Sequence, residues 1–399
     1  MNRETIRYQN DRALAAELRK HPDVVRVNQR IEKMQEAGPM GTRRRLLSTS
    51  VLLSRFMAPE VHRMADECIE KLEMEIPHEL YVYSSPQLNA ACFKPDDGKL
   101  FVMFSSSLLE KFHGSELKFV IGHEFGHHVY NHHEIPIGYL LQGNQRPDPR
   151  LALDLFAWSR NAEISADRAG AFCAEDMPGI ARSLFMLASG LGSDVIKFDL
   201  DEFLKQVDEM QVEDAEPGQG APREDWFSTH PFSPLRVKAL ALFHRSELMT
   251  QGGSSSEHLE VGVQRLLSLM EPSYLEARTD TASAMRRLLF AGAIAVANAE
   301  GGISDSEIAI FEKFFGQGEF SQNLDIDRIV KALPDRIETA NQHASQAQRM
   351  QVMRDICLMS RADGATGGQE RRVLNEIADA LGISTAFICQ TLDLDCELD

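Results

Sequence analysis

Two histidines four residues apart, in His123-Glu124-Phe125-Gly126-His127, are the sharpest chemical signal in the chain. On a helix, positions i and i+4 share a face, so both imidazoles can converge on one cation. Glu124 projects beside them and can take a proton from a metal-activated water. Zinc suits this set because imidazole nitrogen ligates it well and an open coordination position lowers the pKa of bound water. Gly126 permits close approach of another segment to the helix. The competing reading is a helix with surface histidines, since His128, His132 and His133 make the stretch His-rich in a chain with 13 His. His128 and His132 are also four apart, but no acid follows His128, so the first pair is the better site.

A catalytic zinc of this type needs a third protein ligand and leaves the fourth position for water. Asn161-Ala162-Glu163-Ile164-Ser165-Ala166-Asp167 offers Glu163 as that ligand. Asp167, on the same helical face, can accept a hydrogen bond from the far nitrogen of a ligating histidine. Alone, such a pair reads as a solvated acidic face. On a separate helix with an apolar face, after the histidine motif, the metal reading prevails. A third element is Ser228-Thr229-His230-Pro231-Phe232-Ser233-Pro234-Leu235-Arg236. His230, just before a helix start, can donate a hydrogen bond to an oxyanion formed when water attacks a peptide carbonyl. Pro231 and Pro234 fix its approach, and Arg236 can pair with a buried carboxylate. The competing reading of a lone His-Pro is a plain loop.

The elements that must position these residues follow from periodicity. Residues 1–76 read as an N-terminal helical region with a scaffold role, broken by Pro22, Gly38-Pro39 and Pro59. From Leu80 the pattern changes to strand candidates at Leu80 to Ser84, Leu88 to Phe93 and Lys99 to Phe104. Asp96-Asp97-Gly98 is a turn signal between the last two, so a small antiparallel sheet is expected. Ser115 is the expected N-cap of a helix running through His123 to His132 and ended by Pro136. A second helix is expected from about Leu151 to Cys173, with helical segments at Leu184 to Leu191, Asp201 to Met210 and Leu235 to Leu248.

Residues 213–223 form a polar Pro/Gly-rich loop just before His230, a candidate lid. Gln251 to Ser256 reads as a linker. The expected division is therefore 1–76, a metal-site domain at 77–250, a linker at 251–258 and an all-helical domain at 259–399. The last contains an echo: Ile294 to Glu307 and Cys357 to Glu370 each pass from an apolar helix through an acidic Gly-containing loop into a new helix. Two copies of one unit suggest a pseudo-symmetric helical bundle. The fold class is mainly α with a small antiparallel β-sheet.

Bulk properties exclude several functions. The chain has 399 residues, 43% apolar and 26% charged, ample for two or three domains. Acids outnumber Lys and Arg by 60 to 42, a net charge of -18, which argues against nucleic acid and against a polybasic membrane anchor. The one basic run, Arg43-Arg44-Arg45, reads as a solvated helix flank. Six scattered cysteines without a C-x-x-C pair point to reduced thiols and a cytoplasmic protein. Met1 to Asn10 lacks the apolar core of a signal peptide, and Leu288 to Ala299 is too short to span a bilayer. No transmembrane segment is expected.

With its three elements in order, the chain resembles the HtpX and CAAX prenyl protease family of zinc metallopeptidases, the gluzincins. The resemblance covers about residues 60–248. It rests on His123-Glu124-Phe125-Gly126-His127, on Glu163 to Asp167, and on Ser228-Thr229-His230-Pro231 with Arg236 five residues after the Pro. It implies a zincin-type catalytic domain with one zinc held by His123, His127 and Glu163, Glu124 as general base and His230 as transition-state stabiliser. Leu88-Asn89-Ala90 looks like the family's substrate-binding edge strand, so Asn89 and Ala90 would pair with an extended protein or peptide substrate. Many members are embedded in membranes; this chain looks more like the soluble ones, which leaves sequence preference open. The C-terminal repeats resemble the TerB-like domain of tellurite-resistance and stress proteins. There Glu300, Asp305, Glu307, Asp363 and Glu370 are candidates for a second cation, against helix N-capping by the same acids. The activity expected is endopeptidase hydrolysis. The alternative is an inactive or latent peptidase-fold binding module of a stress response, and a third possibility is an enzyme gated by its C-terminal domain. Oligomeric state is open.

Overall fold

The computed structural model of the protein describes residues 2–36, 41–142, 149–192, 196–213, 228–270, 280–300, 303, 308, 312, 325–361 and 366–392. Two compact units result. The first joins residues 1–207 with 227–256, and the second joins 208–226 with 257–399. The N-terminal helices are thus part of the body that carries the histidine motif.

The first unit holds a four-stranded sheet of β1 (Val51–Leu53), β2 (His78–Tyr83), β3 (Ala90–Cys92) and β4 (Leu100–Ser105), in the order β1-β2-β4-β3. The sheet is mixed, not antiparallel as expected. β3 and β4 form the expected hairpin, turned by Asp97 and Gly98 at positive φ, the backbone an Asp-Gly turn needs. β4 then inserts beside β2 in parallel, pairing Leu80 with Val102 and leaving β3 at the edge. β1 pairs antiparallel with the other side of β2. Three residues are too short for period-two alternation to register, which is why β1 escapes a reading by pattern.

The site-bearing helices are α1 (Gln9–Leu18), α2 (Pro59–Lys71), α3 (Gly114–Val129), α4 (Pro149–Ala174), α5 (Met177–Ser189) and α6 (Ser233–Arg245). α3 lies along α4, with α2 and α5 against α3, and α1 and α6 against α4. α3 starts one residue before Ser115: His113 is its cap, and Glu116 accepts the His113 N–H. Ser115 instead donates to Asp176 at 2.6 Å. α3 also ends early, at Val129. Asn131 adopts a left-handed backbone (φ 56°) and starts a 3-10 turn over His132–Glu134, so the expected run to His132 is broken.

Small residues set the approach of α3 to α4. A Cβ on Gly126 would lie 2.8 Å from the Ala169 Cβ, and one on Gly170 would lie 2.6 Å from the Phe119 carbonyl oxygen. Side chains at these positions would push the helices apart. The Gly/Ser stretch expected as a linker folds back on the end of α6 instead. Ser254 donates to the Arg245 carbonyl at 3.1 Å, Glu247 donates to the Ser254 carbonyl at 2.8 Å, and a Cβ on Gly253 would strike the Arg245 carbonyl.

The second unit contains α7 (Ser256–Ser268), α8 (Asp280–Ala297), α9 (Leu333–His343), α10 (Gln346–Met359), α11 (Gly368–Ala380) and α12 (Thr385–Leu392). Leu288, Met353, Ile356, Leu374, Ile377 and Phe387 form its core. Among the described residues, no helix is long and apolar enough to cross a membrane.

Candidate metal centre

α3 presents His123 and His127 one turn apart, and α4 presents Glu163 and Asp167 one turn apart on the facing side. The close crossing brings them together. His123 Nε2 and His127 Nε2 are 3.1 Å apart, and Glu163 reaches them with Oε2 at 3.5 Å and Oε1 at 3.4 Å. Among the described residues this is the one trio of His, Cys, Asp or Glu arranged to hold a metal ion. His123, Glu124, Glu163 and Asp167 are all buried.

The donor set fits zinc. Ligand bonds of roughly 2.0–2.2 Å in a tetrahedron put ligand atoms roughly 3.3–3.6 Å apart. Two ring nitrogens 3.1 Å apart, with a carboxylate close to both, form a set that can hold a metal ion. The Glu163 Oε2 atom is buried without a hydrogen-bond partner, although Arg236 Nη2 and His123 Nε2 each lie 3.5 Å away, so it keeps a lone pair that a metal ion could use. Burial and neighbouring charges act in opposite directions on both Glu163 and His127. Burial works to raise the Glu163 carboxyl, but the charges of His230, His127 and His123 outweigh it and hold the group well below the usual carboxylate range. Burial works to lower the His127 imidazole, yet Glu163, Glu124 and Asp167 raise it.

The supports of the two imidazoles are separate. His123 Nδ1 lies 2.9 Å from Asp167 Oδ1, so the ring donates there and turns Nε2 toward Glu163. Asp167 is fully buried and gripped by Arg236, whose Nε and Nη2 donate at 2.8 and 2.6 Å. Burial alone would raise Asp167; the Arg236 charge and hydrogen bonds, then His123, bring it below its ordinary value. His127 Nδ1 lies 2.9 Å from His132 Nδ1, and His132 Nε2 lies 3.2 Å from Asp11 Oδ2. Burial works to raise the Asp11 carboxyl, but His132 and Arg7 overcome it and hold it far below the usual range.

His230 stands apart in exposure, with 61% of its side chain accessible, yet its Nε2 is 3.5 Å from Glu163 Oε1. Two residues of α4 anchor its segment: Arg160 donates to the Ser228 carbonyl at 3.1 Å and Ser159 to the Thr229 carbonyl at 3.0 Å. The Thr229 hydroxyl is 2.8 Å from His230 Nδ1. Asn89 is tied to β4, its N–H donating to Ser105 Oγ at 3.1 Å, and Ala90 opens edge strand β3, which runs beside α3. Burial and the Glu124 carboxylate both push up the Cys92 thiol on that strand.

The structure thus brings together His123, Glu124, His127, Glu163, Asp167, His230 and Arg236. Periodicity missed Asp11, His132, Ser159 and Arg160. Spacing alone leaves His132 as one member of a His-rich run, and Asp11 lies far away in sequence. Of the acids considered for a second cation, Asp305, Glu307 and Asp363 lie outside the described residues, as does the Glu300 side chain. Glu370 accepts the Gly367 N–H at 2.7 Å at the start of α11, a helix-capping role. The 214–223 part of the candidate lid and Cys396 also lie outside the described residues; Cys68, Cys92, Cys173, Cys357 and Cys389 are free thiols.

Residues 57–144 and 150–242 match peptidase family M48, and residues 286–390 match the tellurite resistance protein TerB family. The chain therefore carries an M48 peptidase domain followed by a TerB domain. It is 30% identical over 211 residues to the plastoglobule-localized metallopeptidase 48, chloroplastic, of Arabidopsis thaliana, covering 50% of this chain and 61% of the plant protein. The match thus spans less than two thirds of that relative. Protease HtpX homologs of two Helicobacter pylori strains, J99 and Shi470, are 24% and 23% identical, each over 50% of this chain and 71% and 72% of their own length. No solved structure gives a significant match.

Proposed function

We propose that this protein is a zinc-dependent endopeptidase that hydrolyses peptide bonds of protein or peptide substrates. The carrying observation is the convergence of His123, His127 and Glu163 within 4.8 Å of one another, with Glu124 on the same helix as the two histidines. Their M48 context supports the same reading. One zinc per chain, held by those three side chains, would supply the Lewis acidity that lowers the pKa of a water and polarises the scissile carbonyl. The residues do the rest. Glu124 accepts the proton from the attacking water and delivers it to the leaving amine. With the Thr229 hydroxyl as donor to His230 Nδ1, 2.8 Å away, the ring proton would sit on Nε2 to stabilise the developing oxyanion. Arg236 and Asp167 keep His123 in the tautomer that offers Nε2. An extended substrate adds to the outer edge of β3 at Asn89 and Ala90, on the strand that runs beside the histidine-bearing helix. In this reading the catalytic unit is residues 77–250 together with the N-terminal helices that pack on α4. A cytoplasmic location fits the free thiols, whereas the plant relative is named as chloroplastic.

The test is metal analysis of the purified chain beside a casein and peptide-library digest. Glu124→Gln should keep one zinc per chain and lose about 10²–10⁴-fold in turnover. Equal activity in that variant, or a wild-type chain that takes up no zinc, overturns the proposal. One zinc without cleavage under any condition would turn it toward the binding-module reading.

A further inference from the structure

The geometry points to Asp11 and His132 as positioning residues that set the tautomer of His127 through a two-step hydrogen-bond relay. This rests on the proposed metal site. Asp11, in α1, is fully buried and receives four donors: Arg7 Nε at 2.8 Å, Ser165 Oγ at 2.8 Å, Trp158 Nε1 at 3.1 Å and His132 Nε2 at 3.2 Å. An ionised carboxylate only accepts, so the proton of that last contact belongs to His132 Nε2. In a neutral imidazole the other nitrogen is then an acceptor, so His132 Nδ1 takes its bond from the His127 Nδ1–H at 2.9 Å. The lone pair of His127 is left on Nε2, the atom that faces His123 Nε2 and Glu163. The reverse arrangement puts a proton on His127 Nε2 and closes the site to a cation.

The two ligating rings therefore end in the same state by different routes. Asp167 acts on His123 directly; Asp11 acts on His127 through an intervening imidazole. The relay also explains two features that periodicity left unused. The left-handed backbone at Asn131 folds His132 back toward His127, and the burial of Asp11 beside Ser165 places its carboxylate between Trp158 and the relay. A purely structural role for Asp11 would be to pin α1 to α4, and Trp158 and Ser165 alone would serve that. The contact with His132 goes further and couples the N-terminal helix to the metal.

The test measures zinc affinity of the full chain by competition with a chromophoric chelator. Asp11→Asn keeps the shape but offers an amide that can donate to His132 and reverse the relay. His132→Phe keeps a ring and removes both nitrogens. Each should weaken zinc binding by about 10- to 100-fold, as should Asp167→Asn, the usual effect of losing an outer hydrogen bond to a ligating histidine. Trp158→Phe, which removes one anchor of Asp11 outside the relay, should lower the thermal midpoint and leave zinc affinity within about twofold. Wild-type affinity in both Asp11→Asn and His132→Phe overturns the inference while the zinc reading stands. A wild-type chain that binds no zinc overturns that reading instead. Should either variant fail to fold, ring nitrogen-15 spectra of the wild-type chain decide the matter. A protonated His127 Nδ1 supports the relay, and a protonated Nε2 refutes it.

Discussion

The two compact units bury different chemistry. The first encloses Asp11, His123, Glu124, Glu163, Asp167 and Arg236. The second is filled by Leu, Ile, Met, Val and Phe on α8, α10, α11 and α12. Among its described residues, the buried acid Glu370 caps α11, and Asp355 lies 3.4 Å from the neighbouring Arg354. Taking charges out of water costs several kcal/mol per ion, and paired charges seldom return more than an apolar core would. A unit that nevertheless concentrates six such groups around one point is organised for a site, and its stability depends on keeping every partner. The second unit is organised for packing, and its stability follows apolar volume.

That contrast can be broken by substitution. The largest effect is expected from Arg236→Leu, which leaves Asp167 buried beside Glu163 without its cation. It should cost about 3–5 kcal/mol in chemical denaturation of the first unit. A loss below about 1 kcal/mol would mean that the charges do not hold this unit together. His230→Phe comes next. Its exposed ring adds little to packing, so stability and zinc content should be unchanged while kcat falls by about 10²–10³, or about 2.7–4 kcal/mol. Unaltered kcat would remove His230 from the chemistry.

Ile356→Val probes the other kind of core. It removes one methylene from a fully buried side chain that fills the space over Gly292. The expected loss is about 0.5–1.5 kcal/mol, with zinc affinity within about twofold. A change in zinc affinity would show that the two units are coupled.

A further contrast lies at high pH. The Tyr81 hydroxyl donates to Glu79 at 2.6 Å, and burial together with that carboxylate raises the phenol to about 12. The unfolded chain ionises near 10, so between those values the native state holds more protons than the unfolded one. This contribution to stability is complete below about pH 10 and disappears as pH rises through about 12. Tyr81→Phe lacks it, so wild-type stability should fall more steeply than the variant's across that window. Parallel curves would contradict the assignment.

The chain's own pattern determined the parts of the site that lie within one helix. His123 and His127 share a face because 3.6 residues make a turn, and so do Glu163 and Asp167; each pair is readable from a few residues of sequence. The second helix and the β3–β4 turn were legible for the same reason, since local spacing and an Asp-Gly pair carry them. What needed the tertiary structure was everything joined across the chain. The mixed order of the sheet, the fold-back of Gly252-Gly253-Ser254 onto α6 and the end of α3 at Val129 depend on contacts that periodicity does not record. His132 and Asp11 make the point most sharply. They lie 121 residues apart and meet only because α1 packs against α4 while Asn131 turns the chain back on itself. A hydrogen bond between distant residues is set by where the packed helices place them, and the residue types alone leave that partner open.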